Sequence, residues 1–131
     1  MITIFLSYGM NGRTKQAQRE IRSKMRDKVR KYFETDALAK YSDIWCIKHK
    51  NHAILHVCRI INNGEDMMKV VKVVDNYDAV CEGGRLAHLG LAIQKMDKCD
   101  AIIFDDDWKE HKGCIIEMEV AKQYGLKIIE V

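Results

Sequence analysis

Apolar positions along this chain come in short blocks, and the polar stretches between them carry a second, helical spacing. Ile2 to Ser7 is an unbroken apolar run, which reads as a strand buried on both faces of a parallel sheet. It ends in the glycine-containing turn Ser7-Tyr8-Gly9-Met10-Asn11-Gly12-Arg13, after which Thr14 is placed to cap a helix from Lys15 to about Tyr32. Along that helix Ala17, Ile21, Met25, Val29 and Phe33 recur at i+4 spacing among strong helix formers. Strand, phosphate-loop-like turn and helix therefore follow one another.

Further on, Ile44-Trp45-Cys46-Ile47 and Ala53 to Ile61 both look like strands, and Lys48 to His52 between them makes a β-hairpin the economical expectation. Asn62-Asn63-Gly64 marks a turn, and Val70 to Val74 is a third β-branched run with Asp75 at its carboxyl end. Gly83-Gly84 breaks the chain before a helix from about Arg85 to Lys98, with Leu86, Leu89, Ile93 and Met96 on one face. Ala101 to Phe104 is a short buried strand stopping at Asp105-Asp106-Asp107. A last helix runs from Lys112 or Gly113 to Tyr124, Gly125 ends it, and Leu126 to Val131 closes as a strand.

Strands alternating with helices through short connections predict an α/β fold: a flavodoxin- or Rossmann-like, mostly parallel sheet with helices on both faces, plus the hairpin as an insertion. Ligands of such sheets sit outside the carboxyl ends of the strands, where the strand order reverses. The candidate stretches are then Ser7 to Arg13, Asp75 to Tyr77 and Asp105 to Glu117.

Length and composition narrow this further. The 131 residues suit a single domain, and the abundance of Ile, Val and Leu with no Pro at all excludes intrinsic disorder. A net charge of +3 is too weak to argue for nucleic acid, although the basic run from Arg13 to Lys31 meets only Glu20 and Asp27. That run reads as a solvated helix face, with a phosphate-attracting face as the alternative. Met1 to Tyr8 lacks the basic region and cleavage site of a signal peptide, and no apolar stretch approaches the roughly 18 residues of a membrane span. Five Cys, an odd number without a framework, read as reduced thiols in a cytoplasmic protein.

Chemistry has three candidate places. The first turn brings two glycines to the start of a helix, where backbone can approach an anion, and Arg13 adds a guanidinium fork. It is neither a dinucleotide fingerprint nor a Walker loop. The second is Trp108 to Glu117, with Glu117 expected in the first turn of the last helix, where the dipole would lower its pKa and keep it ionised as a nucleophile. Glu119, roughly 200° round the helix, cannot share its pocket. The third, Cys46, His49, His52, His56 and Cys58, has the composition of a zinc site, but on the hairpin Cys46 and Cys58 fall on opposite faces, so no metal is expected. Asp105 to Asp107 suits a divalent cation less well than a solvated loop.

The stretches Leu89 to Met96, Cys99-Asp100-Ala101, Trp108, Lys112-Gly113-Cys114-Ile115-Ile116-Glu117 and Ala121 to Gly125 resemble the nucleoside 2-deoxyribosyltransferase-like superfamily, most closely its small phage or bacterial members. Ser7-x-x-Met10-x-Gly12 matches that family's first loop, and the likeness covers about two thirds of the chain, leaving residues 37–67 as an unmatched insertion. The resemblance implies a (deoxy)ribose pocket over the strand ends and Glu117 as the nucleophile on the anomeric carbon of an N-glycosidic bond. It implies that Ser7, Tyr8, Gly9, Met10, Gly12 and Arg13 cradle the sugar or its 5′-phosphate, with Asp75 and Gly113 also lining the site and Trp108 near the base. No cofactor is implied.

Two acids of that family are replaced. The Asp at the start of the second matched helix has no counterpart in Ala87-His88-Leu89-Gly90, leaving Asp75, Asp78 or His88 to act in its stead, and the Asp six residues before the nucleophile is His111. Relatives also place a Pro where this chain has Gly9, an exchange that keeps the turn and loosens it. The expectation is an N-glycosidase or deoxyribosyltransferase acting on a nucleoside or its 5′-monophosphate through Glu117, with Tyr8 and His88 assisting. Alternatives are a non-catalytic nucleotide-binding module and an interaction protein using the insertion. The expected partner is a small nucleoside or nucleotide, with no nucleic acid or membrane, in a homo-dimer or larger homo-oligomer.

Overall fold

The first apolar run becomes the centre of the sheet. In the computed structural model, which describes residues 1–9, 14–48, 55–76 and 83–131, β1 (Ile2–Ser7) is bonded on both sides. It lies between β2 (Val71–Asp75) and β3 (Ala101–Phe104), and β4 (Lys127–Ile129) adds beyond β3. The order is β2-β1-β3-β4 and all three pairings are parallel, with Ile4 opposite both Val73 and Ala101. The expected α/β class and parallel sheet are thus present.

Side-chain alternation divides the strands between two cores. Ile2, Ile4 and Leu6 of β1, with Ala101, Ile103 and Ile129, face α1 (Lys15–Tyr32), α2 (Ala37–Lys48) and α3 (Leu55–Asn62). Phe5, Ile102 and Phe104 face α4 (Arg85–Asp97) and α5 (Lys112–Tyr124). The i+4 stripe of α1 is the one read from sequence: Ile21, Met25, Val29 and Phe33 are buried, and Thr14 Oγ1 caps by accepting from Ala17 N at 3.1 Å. At the far end of the molecule Gly125 adopts φ +72°, ending α5 in the left-handed conformation that suits glycine.

The hairpin is where the sequence reading fails. Residues 37–48 and 55–62 are helices, not strands, and the proposed turn at Lys50-Asn51 lies outside the described residues. Their periodicity is helical once the exposed positions are counted. Tyr41 and Ile44 are buried three apart with Trp45 stacked on Tyr41 at 6.0 Å, and Val57 and Ile60 are buried while His56 and Arg59 are exposed. Short β-branched runs favour strands locally, but the apolar faces here are satisfied by packing on an already paired sheet. The zinc argument loses its geometric basis with the hairpin. His56 and Cys58 stand on α3, while His49, His52 and the Cys46 side chain lie outside the described residues.

One helix face also differs. Leu86, expected among the buried residues of α4, is 83% exposed, and the inward face is carried by Ala92, Met96 and then Cys99.

Candidate active site

The chain runs from β1 outward to β2, then returns past β1 to β3, so the strand order reverses between β1 and β3. Their carboxyl ends lead into separate loops, and it is at such a switch point that open α/β sheets bind ligands. Ser7 is the last residue of β1, and it points to the α4–α5 face because it follows Phe5 by two.

Glu117 meets it there. The carboxyl group is 2% exposed, and its Oε1 accepts from Ser7 Oγ and from Asn76 Nδ2, each at 3.2 Å. Asn76 is fixed in turn: its Nδ2 donates to Tyr8 O at 2.8 Å and its backbone N–H donates to Leu6 O. The other carboxyl oxygen, Oε2, is buried with no hydrogen-bond partner among the described residues, and so is Oδ1 of Asn76. Unpaired buried acceptors cost about 1–3 kcal/mol each, so a cluster of two is a site awaiting donors.

The electrostatics of Glu117 differ from the sequence expectation. It lies in the second turn of α5, six residues past the capping position His111, and the dipole effect fades within one turn. Burial instead dominates and pushes its pKa from 4.5 up to about 7, against the lowering pull of the Asn76 and Ser7 hydrogen bonds. One turn earlier, the buried Cys114 thiol is pushed up to about 12, chiefly by desolvation, so it stays protonated and is a poor nucleophile.

A second group lines the β2 side. Tyr8, 1% exposed, donates its hydroxyl to Asp75 Oδ1 at 2.9 Å, and the Arg22 Nε lies 2.9 Å from Asp75 Oδ2. The Arg22 contact is close in distance but lacks the alignment of a hydrogen bond, so it acts as an ion pair. Burial, reinforced by the Asp75 charge, holds the Tyr8 phenol at about 12. Tyr8 is therefore a fixed, protonated wall.

On the β3 side, the acidic run is neither a solvated loop nor a cation cage. Asp105 is 2% exposed and accepts from Lys24 Nζ at 2.8 Å. Lys28 Nζ reaches Asp106 at 2.9 Å and Phe104 O at 2.7 Å. The two oppositely charged segments pair, which draws Lys28 in from the solvated face expected for the basic run while Lys24 stays half-exposed. Its arginines do stay outward, where Arg19, Arg22, Arg26 and Arg30 line a shallow hollow of about 240 Å³.

The remaining expected residues divide. Ser7 and Glu117 meet on the α4–α5 side of the sheet, while Tyr8 and Asp75 pair with each other on the α1 side. Met10, Gly12, Arg13 and Asp78 lie outside the described residues. His88 sits half-buried in the first turn of α4 and is not among the groups bonded to Glu117. Trp108 packs on Phe104, ring centres 5.6 Å apart, and Lys109 Nζ lies over the Trp108 ring, 5.6 Å from its centre. Gly113 is half-buried in the first turn of α5, with no described atom within 4 Å of where a β-carbon would stand. Gly9 is tighter than expected, since a β-carbon there would collide with the ring of His111. Asn76 and Arg22 were not singled out from sequence; the only signal for Asn76 was its place just after a strand.

Fold and site define an α/β protein of the parallel, flavodoxin-like kind with a buried carboxyl at the switch point. Residues 62–130 match the family described as Domain of unknown function (DUF4406), and the chain belongs to that family. The match takes in Asp75, Asn76 and Glu117 but not Ser7, Tyr8 or Gly9. No curated protein and no solved structure matches the chain.

Proposed function

We propose that this protein cleaves or transfers the N-glycosidic bond of a nucleoside or nucleoside 5′-monophosphate, with Glu117 as the nucleophile. The observation that carries this is the pair of unsatisfied acceptors, Glu117 Oε2 and Asn76 Oδ1, buried together at the strand ends. Among the described residues nothing donates to these two atoms, and a sugar supplies donors as hydroxyl groups. The likeness to nucleoside 2-deoxyribosyltransferase-like proteins, with Glu117 at the matched position, supports the same chemistry.

The residues then have distinct parts. Ser7 and Asn76 hold Oε1, which leaves Oε2 for the anomeric carbon. Tyr8, tied to Asp75 on the α1 side, supports the site through its backbone carbonyl, which holds Asn76. With a pKa of about 7, Glu117 is only partly ionised near neutrality, and hydroxyls donating to it as substrate binds favour the carboxylate that attacks. A covalent glycosyl intermediate divides one difficult displacement into two, and the acceptor, water or a second base, decides between hydrolase and transferase.

The test is release of free base from deoxynucleosides and their 5′-monophosphates. Wild type is expected to release base and Glu117→Ala to lose at least about 10³-fold, in line with removal of a nucleophile. If neither releases base while a nucleotide raises the melting temperature, the protein is a binding module on the same fold and the enzymatic reading is wrong.

A further inference from the structure

We infer that His111, seated on Gly9 and held by Asp107, is the acid–base catalyst paired with Glu117. This rests on the glycosyl reading above and gives it a proton carrier on the helix that holds Glu117.

Three observations meet at this ring. First, a β-carbon on Gly9 would fall almost equally close to Cε1, Nδ1 and Cγ of His111. Near-equal distances to three ring atoms place it over the face of the imidazole, not at an edge. Gly9 is thus a flat seat, and any other residue there would evict the ring. Second, His111 Nε2 lies 3.1 Å from Asp107 Oδ2. A carboxylate can only accept, so Nε2 carries a proton and Nδ1 is the ring atom left for exchange. Third, the His111 side chain is 28% exposed, so the ring is open in part to a ligand or water, unlike the sealed Tyr8.

Position completes the argument. Glu117 is bonded to Ser7 and the imidazole lies on Gly9, two residues further along the same chain, so both groups stand at the carboxyl end of β1. Both also belong to one rigid element, since His111 is the capping residue of the helix that carries Glu117.

The proton bookkeeping closes. As a Glu117 oxygen bonds the anomeric carbon, the C–N bond breaks, its electron pair stays on the base nitrogen, and that nitrogen takes the proton from Nδ1 of the His111 imidazolium. Water oxygen then bonds the anomeric carbon, its proton passes to neutral Nδ1, and the C–O pair returns to Glu117. Asp107 is a positioning residue that stabilises the imidazolium between these steps.

The experiment compares leaving groups. His111→Ala is expected to slow base release from a nucleoside by about 10²- to 10⁴-fold. It should leave intact the first-turnover burst of 4-nitrophenol from the 4-nitrophenyl glycoside of the same sugar, because nitrophenolate departs without a proton. Added imidazole should restore part of the lost nucleoside activity, and Asp107→Asn should lower kcat more than it changes KM. Gly9→Ala should copy the His111→Ala signature, and His111→Ala stands alone if Gly9→Ala does not fold. Equal loss of both activities, or no loss of either, overturns the inference. Base release that needs Glu117 and not His111 overturns it while sparing the glycosyl reading, whereas a wild type that releases no base takes down both.

Discussion

Two carboxyl groups lie at the carboxyl end of the sheet with the same 2% exposure, Asp105 after β3 and Glu117 on α5, and they have opposite environments. Asp105 meets the Lys24 ammonium at 2.8 Å and the N–H of Asp106 at 2.9 Å. Glu117 has only neutral donors at 3.2 Å and one oxygen with none among the described residues. Burial by itself does not mark chemistry. What distinguishes a poised group from a structural one is whether the fold has already supplied its counter-charge.

The contrast predicts opposite signs for the same kind of substitution. The largest effect on stability is expected from Asp105→Asn, which strips the counter-charge from a buried pair with a half-exposed Lys24 and should destabilise by about 1–3 kcal/mol in denaturant titrations at pH 8. Glu117→Gln should stabilise instead, because it removes a buried charge that has no ionic partner. If both variants lose stability alike, the two carboxyls are equivalent and the comparison breaks.

Next in size is the pH dependence of that gain. The fold favours the neutral form of Glu117, so the native state holds its proton up to about 7 while the unfolded chain releases it near 4.5. Wild type therefore has its full stability from this group below about 4.5 and loses it as pH rises to about 7. Glu117→Gln cannot ionise, so its advantage should grow across that window, by at most about 3 kcal/mol, and stay level above it. An advantage that shrinks with rising pH would mean an ionised, stabilised carboxylate.

The smallest effect belongs to Lys28→Met. Its partner Asp106 is 75% exposed, so the pair is screened and thermal melts should shift by no more than about 1 kcal/mol equivalent. A loss as large as that of Asp105→Asn would show that exposure at Asp106 misleads about the pair.

Much of this site was legible in advance, and the failures have a common cause. The strands, the α1 stripe, its Thr14 cap and the Gly125 stop follow from patterns a few residues long. Ser7, Asp75 and Glu117 stand out in the sequence because they follow strands; the structure bonds Ser7 to Glu117 and places Asp75 with Tyr8 and Arg22. Glu117 was expected to be ionised because its helix end was taken as the dominant influence, when burial is the larger effect. The hairpin failed because β-branched runs such as Ile60-Ile61 are ambiguous until something is packed against them. Gly9 was read as a loosened turn, yet the close ring of His111 makes it a tight one.

The local chain determined the periodicity of its elements and which side chains faced inward, because spacing and propensity act over a few residues. Only tertiary structure decided who meets whom. Ser7 bonds a carboxyl 110 positions away, Lys24 neutralises an acid 81 positions on, and no local pattern encodes such pairings. They arise when parallel pairing brings the carboxyl ends of β1, β2 and β3 side by side. That closure buried one carboxyl against a cation and left the other, among the described residues, with neutral donors alone.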